Sequence, residues 1–554
     1  MQSTLSNKEV GNIMKSLAAL MELHEENPFK IKSYANAAFQ LSRIPDVVME
    51  MDRTTMEQTK GIGKSVAAKL VELRETGDIE ALRKLLDMTP AGIIDMLQIK
   101  GLGAKKVRVI WKELGVEDVG ELLYACYENR LAKLKGFGEK TQESVIQSIE
   151  YYQANLGKFH FATALQQAAL MEADWKQSTA WSRTGALRRE AIVIEQLEWL
   201  TTAGLEELPV PGGWQQSENG WVAVSPGGIP MVLHVAEAAQ WATTLLVTTG
   251  NEAHVDFVLS KVEDPQQPFE DEAAIYKAAG LTFVPAFLRE DLAEWEYNDQ
   301  ASADAIISME DIQGVVHNHS TWSDGRNTIR EMAEACMARG YTYLVMSDHS
   351  KTAVYAGGLD IQQVRLQQEE IDRLNEELAP FKIFKSIESD ILNDGSLDYP
   401  DEVLASFDLV IASVHSNLRM DAAKANERLL RAIENPYTSI LGHMTGRLLL
   451  SRPGYPVDHQ LIIDACAANR VAIEVNANPY RLDMDYHWIP YAQEKGIWIP
   501  VNPDAHSTAG IDDIYFGVTA ARKGGLRRRH VLNALPLSEF EKWLKDRKAA
   551  KGIA

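Results

Sequence analysis

Cysteine is almost missing. The 554 residues include three, Cys126, Cys336 and Cys466, far apart and paired by no motif, which excludes a disulfide framework and points to a reducing cytosol. Long apolar runs are missing too. None approaches the ~18–20 residues that cross a bilayer, and the opening Met-Gln-Ser-Thr-Leu-Ser-Asn-Lys holds no apolar signal region. A cytoplasmic protein is expected. Positive charge is in deficit, with 56 Lys and Arg against 78 Asp and Glu and a net charge of −22, which taken alone argues against nucleic acid as a partner. The deficit is uneven, however. Residues 1–150 hold 21 basic and 22 acidic side chains, a balance of −1, which leaves 35 and 56, a balance of −21, for the remainder. The acidity sits in the C-terminal part, and the N-terminal part is free to meet phosphate. The length suggests three or four domains with sizeable cores.

What the C-terminal part does have is histidine in a pattern. The run Gly314–Val316 reads as a strand and is followed by His317 and His319, which an extended chain places on one side, and by Asp324 in a Ser-Asp-Gly turn. The pattern recurs. The apolar runs beginning at Tyr343, Lys382, Leu409 and Ser439 lead to His349, Glu388, His415 and His443 respectively. The run Val471–Val475 carries Glu474, then Asn476 and Asn478, and Ile497–Val501 leads to Asp504 and His506. Helix-period stretches (328–339, 362–378, 422–433, 457–469, 486–494) separate the runs, so a parallel sheet is expected. Ligand-type side chains at the carboxyl ends of several strands predict a barrel-like site holding more than one metal ion. Six of the 13 histidines fall at these ends.

The N-terminal part reads as helical, with stretches at 6–27 and 34–42. The segment Asn27–Tyr34 opens the second of these with Lys30 and Lys32 in reach of its positive end, which suits an anion. A short signature then appears three times: Lys60-Gly61-Ile62-Gly63-Lys64, Lys100-Gly101-Leu102-Gly103-Ala104-Lys105 and Lys135-Gly136-Phe137-Gly138-Glu139-Lys140. Each copy leads into an amphipathic helix. Paired glycines let the backbone turn sharply and present amides to a phosphate, with lysine beside them. The three copies predict helix-hairpin-helix binding to a nucleic-acid backbone, which reads no sequence and weakens with salt.

The segments HNHSTWSDG, SDHS, IESDI, SVHS, GHMTGR, EVNANPYRLD and NPDAHS resemble the polymerase-and-histidinol-phosphatase (PHP) domain over about residues 300–550, in the version attached to bacterial family X DNA polymerases. The resemblance implies nine metal ligands: His317, His319, Glu388 and Asp504 for a first ion; Glu388 as a bridge with His415 and His443 for a second; Asp324, His349 and His506 for a third. Two or three divalent ions, manganese or zinc, are expected. Residues 1–150 resemble the lyase-like and fingers regions of the same polymerases, where Lys69 stands near the family's Schiff-base lysine. Residues 151–297 are only faintly similar to the polymerase palm and thumb. Gly185-Ala186-Leu187-Arg188-Arg189 matches the family's Gly-Ser-x-Arg-Arg with the serine lost, and the three catalytic aspartates fall on Gln196, Glu198 and Val232. An amide and a valine cannot bridge two ions.

The fold expected is therefore multidomain, α and α/β. It comprises a lyase-like helix-hairpin-helix region (1–90), a fingers-like one (91–150), a degenerate α+β palm and thumb (151–297), and a distorted TIM-like (β/α)7 PHP barrel (298–554). The function implied is a metal-dependent phosphodiesterase on DNA, a 3′–5′ exonuclease and 3′-end processor in base-excision repair, with Arg447, Arg481 and Lys351 clamping phosphate. DNA with gaps, nicks or 3′ ends is the expected partner, met by Lys30, Lys32, the three glycine pairs, Lys64, Lys105 and Lys140, and a monomer is expected. The alternatives are an active polymerase or a small-molecule phosphatase of the histidinol-phosphate type.

Overall fold

A computed structural model describes residues 5–41, 43–44, 46–173, 175, 181–202, 213–218, 220–290, 294–297 and 305–553. The chain divides into two compact units, 1–156 and 157–554. The division expected after residue 297 abuts residues 298–304, which lie outside the described ones.

The N-terminal unit is helical. Its first helix, Asn7–Leu23, starts on a reciprocal cap in which the Ser6 hydroxyl accepts from the Glu9 amide and the Glu9 carboxylate accepts from that of Ser6. Val10, Met14, Leu17 and Met21 form its buried stripe. It stops short of the expected Asn27, since Glu25 takes a left-handed φ of 55°. The next helix, Pro28–Leu41, opens six residues before the expected Tyr34, because proline suits the first helical position and the Asn27 side chain accepts from Phe29 N–H at 2.9 Å. Lys30 and Lys32 therefore lie inside its first turns.

In the second unit, residues 181–235 supply a five-stranded mixed sheet in the order Trp181–Thr184, Leu197–Thr201, Pro230–Val235, Gly220–Val224, Gln215–Ser217. The strands Leu197–Thr201 and Pro230–Val235 run parallel, with Glu198 opposite Val232. Trp175, Trp199 and Leu233 anchor the core beneath.

The C-terminal region builds a curled sheet of six parallel strands in chain order: Gly314–Asn318, Tyr343–Met346, Lys382–Asp390, Leu409–Ser413, Thr438–Leu441 and Ala472–Ile473. A further parallel pair, Val475–Asn476 with Val501–Asn502, follows, and one parallel bridge joins Asn318 to Ala505. The run expected as one strand from Val471 is thus broken at Glu474, whose carboxylate is buried and bonded to His317 and Asn502. Of Ile497–Val501 the strand takes in Val501, while the Trp498 and Pro500 carbonyls accept from the amides of Ile473 and Val475.

Alternation explains the rest. Val315, Leu344, Ile383, Ile387, Val410 and Ala412 pack outward against helices, whereas Val316, Tyr343, Val345, Phe384, Leu409 and Ile411 pack with Phe540 and Leu544 of the last helix, Leu537–Lys551. That helix fills one end of the curled sheet, with Phe540 stacked on Tyr343 at 4.6 Å between ring centres. Glu388 and Asp390 continue the face of Phe384, and His415 continues that of Leu409 and Ile411, towards the carboxyl ends of the strands. One face therefore passes from apolar to ionisable along its length.

Candidate metal centre and nucleic-acid interface

Six of the nine expected ligands are buried, His415 is nearly so, and Asp324 and His506 are partly exposed; they gather around Glu388, which five imidazoles approach. Its oxygens lie 3.3 Å from His317 Nε2, 3.6 Å from His319 Nε2, 2.9 Å from His349 Nδ1, 3.2 Å from His415 Nε2 and 3.0 Å from His443 Nε2. Asp504 Oδ1 lies 3.0 Å from His319 Nε2 and 3.7 Å from His317 Nε2. Asp324 Oδ1 lies 3.3 Å from His506 Nε2 and 3.6 Å from His349 Nε2. Three groups offer converging ligand atoms: His317, His319 and Asp504; His349, Glu388 and His415; and His319, Asp324, His349 and His506. His319 and His349 each serve two of these groups. The resemblance gave His319 to one ion and His349 to another, and the structure sets both between neighbours.

The two histidines at 317 and 319 come together by a different route from simple alternation. Pairing with the next strand shifts register between Val315 and Asn318, and His317 adopts a left-handed φ of 64°. Asp504 does the same at 53°. Such conformations in residues with a Cβ cost free energy and persist where surrounding structure fixes them.

Acceptors behind the cluster set its tautomers. Nδ1–H of His317 donates to Glu474 Oε2 at 2.6 Å, that of His415 to Asp390 Oδ1 at 2.5 Å, and that of His506 to the Asp504 carbonyl at 2.9 Å, so each ring turns Nε2 to the centre. Glu474 is held in turn by Asn476 and Asn502 at 2.9 and 2.8 Å. Asp348 accepts from Ser320 N–H and Oγ–H (both 2.7 Å), Ser323 Oγ–H (2.5 Å) and Gln367 (2.6 Å), fixing the turn that carries Asp324. Sequence reasoning passed over Asp348 and Asp390, although Asp390 stands two residues after Glu388 on the same strand and hence on the same face.

Electrostatics favour cations here. Burial opposes charge on His415 and His506, yet Glu388 and Asp390 lift the first to about 10, and Asp324 and Asp504 the second to about 9. Burial likewise opposes charge on Asp324, but His506 and its neighbours bring it to about 2. His319, buried and faced by His506 and His349, falls to about 4. A field that favours protons on buried rings favours divalent ions in their place. The donor set fits such ions. Among the described residues the buried atoms His317 Nε2, His319 Nδ1 and His443 Nδ1 have no hydrogen-bond partner, and imidazole with carboxylate suits borderline divalent metals.

The other expected residues divide. Arg481 Nε stands 3.8 Å from Asp504 Oδ2, at the cluster's edge. Lys351 follows His349 closely, with Nζ over the Tyr399 ring at 5.6 Å. Arg447 has its guanidinium bonded to Asp485 and to the carbonyls of Arg481 and Leu482, and so braces the Arg481 loop. Lys69 Nζ pairs with Glu72 at 2.6 Å on the helix Lys64–Thr76. A cavity of about 540 Å³ lies elsewhere, lined by Arg470, Trp498 and Trp543 at the opposite ends of the strands.

In the N-terminal unit the three glycine signatures share one geometry. Gly61, Gly101 and Gly136 have φ of 89°, 89° and 91°, a region glycine enters without penalty. Ile62, Leu102 and Phe137 between the glycines are buried. Gly63, Gly103 and Gly138 cap the following helices with no side-chain bond, and a Cβ there would meet nothing within 4 Å. The first-turn amides are therefore open to a phosphate.

Comparison with known proteins follows this division. Residues 6–79 match the helix-hairpin-helix domain family and residues 93–150 the SAM-like helix-hairpin-helix tandem family. The DNA polymerase/3′-5′ exonuclease PolX of Bacillus subtilis (strain 168) is 34% identical over 98% of this chain and 100% of its own length. A probable phosphatase of Thermoanaerobacter sp. (strain X514) is 26% identical over 43% of this chain and 96% of its own length. Another, of Vibrio atlanticus (strain LGP32), is 29% identical over 34% and 76%.

Proposed function

The chain belongs to the family of the bacterial DNA polymerase/3′-5′ exonuclease PolX, and from that premise we propose that it is a metal-dependent phosphodiesterase that trims DNA 3′ ends, with gapped, nicked or 3′-ended DNA as substrate. Its repair role and cytoplasmic location are part of the same reading. The observation that carries it is the buried Glu388 carboxylate approached by five imidazoles, with Glu474 and Asp390 behind two of them. In this reading residues 1–90 and 91–150 grip the DNA backbone through their glycine hairpins, residues 151–297 are a retained palm and thumb, and 298–554 form a seven-stranded barrel closed through Asn318 and Ala505.

His317, His319, Glu388 and Asp504, then Glu388, His415 and His443, and then Asp324, His349 and His506 would hold two or three divalent ions, manganese or zinc by their donor chemistry. Such ions supply an activated water and charge neutralisation for phosphoryl transfer. The chain's own residues do the remainder. Glu474 and Asp390 orient His317 and His415, Asp348 fixes the turn bearing Asp324, and Arg481 offers guanidinium donors to phosphate oxygens, with Lys351 adding charge.

The phosphatase relatives favour a second reading, a small phosphomonoester as substrate. Purified protein with manganese, given a 5′-labelled oligonucleotide beside a phosphomonoester, separates the two. Stepwise shortening from the 3′ end, abolished by EDTA, is expected. Phosphomonoester turnover with an intact oligonucleotide would replace this reading with the second.

A further inference from the structure

The segment Ser350–Leu359, which follows His349, is tied down along its length. Ser350 N–H donates to Glu388 O at 3.1 Å, Leu359 N–H to His349 O at 2.9 Å and Gly358 N–H to Ala353 O at 3.1 Å. Thr352 Oγ1–H bonds Asp398 at 2.9 Å and lies 3.0 Å from Asp390 Oδ2. Ala353 and Ala356 are buried, and a Cβ on Gly358 would stand 1.8 Å from the Ser350 carbonyl oxygen. So firmly held a segment nevertheless turns two apolar side chains outward: Val354 is 81% exposed and Tyr355 64%. The Tyr355 ring centre lies 6.2 Å from that of His349 and 6.5 Å from that of His415, on the rim of the buried cluster. Neither burial nor a hydrogen bond of its hydroxyl among the described residues accounts for an aromatic there.

We propose that Tyr355, flanked by Val354, is a stacking platform for the unpaired nucleobase at the 3′ end of the strand being cut. The inference rests on the exonuclease reading above. A flat ring fixed by a rigid backbone can stack with any base, because every base presents a π face, and it loses little conformational entropy in doing so. The platform stands beside the cluster, where the scissile phosphate would be held, so the terminal base and its phosphate can be engaged together. A paired 3′ base is held by its edge and by stacking on its neighbour within the duplex, so a platform that takes the base out of the duplex selects frayed, mismatched or single-stranded ends.

The test pairs a change in the protein with a change in the substrate. Wild type, Tyr355→Ala and Tyr355→Phe are assayed with manganese on two 5′-labelled single strands, one ending in a normal 3′ nucleotide and one in an abasic 3′ residue. On the normal end, Tyr355→Ala is expected to raise KM by about tenfold with kcat nearly unchanged, and Tyr355→Phe to stay within about twofold of wild type. On the abasic end all three proteins should behave alike. A 3′-terminal 2-aminopurine, joined through a phosphorothioate to resist cleavage, should be quenched by wild type and the Phe variant but not by the Ala variant. Equal loss on both substrates, or no loss on either, overturns the platform. Wild-type protein inert on both strands removes the exonuclease reading itself, an outcome recognisable before any substitution is compared.

Discussion

A histidine gives a metal one ring nitrogen, and the group on its other nitrogen decides how well it is aimed. In this centre Glu474 holds His317, Asp390 holds His415 and the Asp504 carbonyl holds His506. None of these acceptors need touch an ion, yet each fixes a tautomer and a ring angle and makes the imidazole a better donor. Glu474→Gln and Asp390→Asn keep shape and remove a charge. Each is expected to lower manganese affinity or nuclease rate by about 10–100-fold, while circular dichroism stays that of the wild type. His319→Ala and Asp504→Ala remove proposed ligands outright, so bound metal should fall and nuclease activity vanish. Titration of metal-free protein with manganese, followed by elemental analysis, reads all four. Full metal content in both His319→Ala and Asp504→Ala would dismantle the proposed first site, and wild-type affinity in Glu474→Gln would show that His317 needs no charged acceptor.

At the scale of elements, the two glycines of each hairpin have separate jobs, which the structure tells apart. Gly101 sits at φ 89°, whereas Gly103 has φ −76° and open space where a Cβ would stand. Gly103→Ala should therefore leave thermal stability almost unchanged but put a methyl group where a phosphate approaches. DNA affinity should fall several-fold, and the slope of log affinity against log salt should flatten. Gly101→Val should also destabilise the N-terminal unit, by roughly 1–3 kcal/mol, through a conformation a branched side chain resists. Fluorescence anisotropy at several salt concentrations checks this, and unchanged affinity in Gly103→Ala would take that hairpin out of the DNA interface. These hairpins were legible because glycine spacing is a local signal, and the parallel strands because burial on both faces leaves near-continuous apolar runs. Less legible was whatever depended on distant partners. The role of Arg447 turns on Asp485 and the carbonyls of Arg481 and Leu482, the last helix plugs the sheet through Phe540 and Leu544, and the break at Glu474 arises from His317, 157 residues away. The early start of the helix at Pro28 was a local signal that proline and Asn27 carried in plain view.

On the scale of the whole molecule, the question is why residues 157–297 persist if their catalytic groups have gone. Much of the answer is attachment. Lys523, wholly buried, bonds Glu290 and the Arg189 carbonyl, both at 2.7 Å, and Phe161 meets Phe516 edge-on at 6.3 Å. The five-stranded layer and the C-terminal sheet thus share one compact unit, and losing the former would strand buried charge in the latter. The groups a polymerase would use are meanwhile engaged elsewhere. Glu198 is 3.1 Å from His234 and packs so closely on Gly185 that a Cβ there would lie 1.9 Å from its carboxylate. Val232, its neighbour across the parallel ladder, offers no oxygen, and Gln196 offers only an amide. Arg188 is paired with Glu272, which Arg289 also holds at 2.5 Å, and Arg189 is bonded to Glu290 and to the Thr249 carbonyl. Neither arginine is free to take a triphosphate, and one carboxylate cannot bridge the two ions that phosphoryl transfer to a primer requires. The expected outcome is no templated nucleotide addition on a gapped duplex, with magnesium or manganese, in a His319→Ala variant whose nuclease cannot erase the product. The relative from Bacillus subtilis carries polymerase in its name, so the measurement separates what this chain inherited in fold from what it kept in chemistry. Robust primer extension in that variant would mean that the aspartates were placed wrongly at Gln196 and Val232, and that Asp256 or Asp264 serves in their stead.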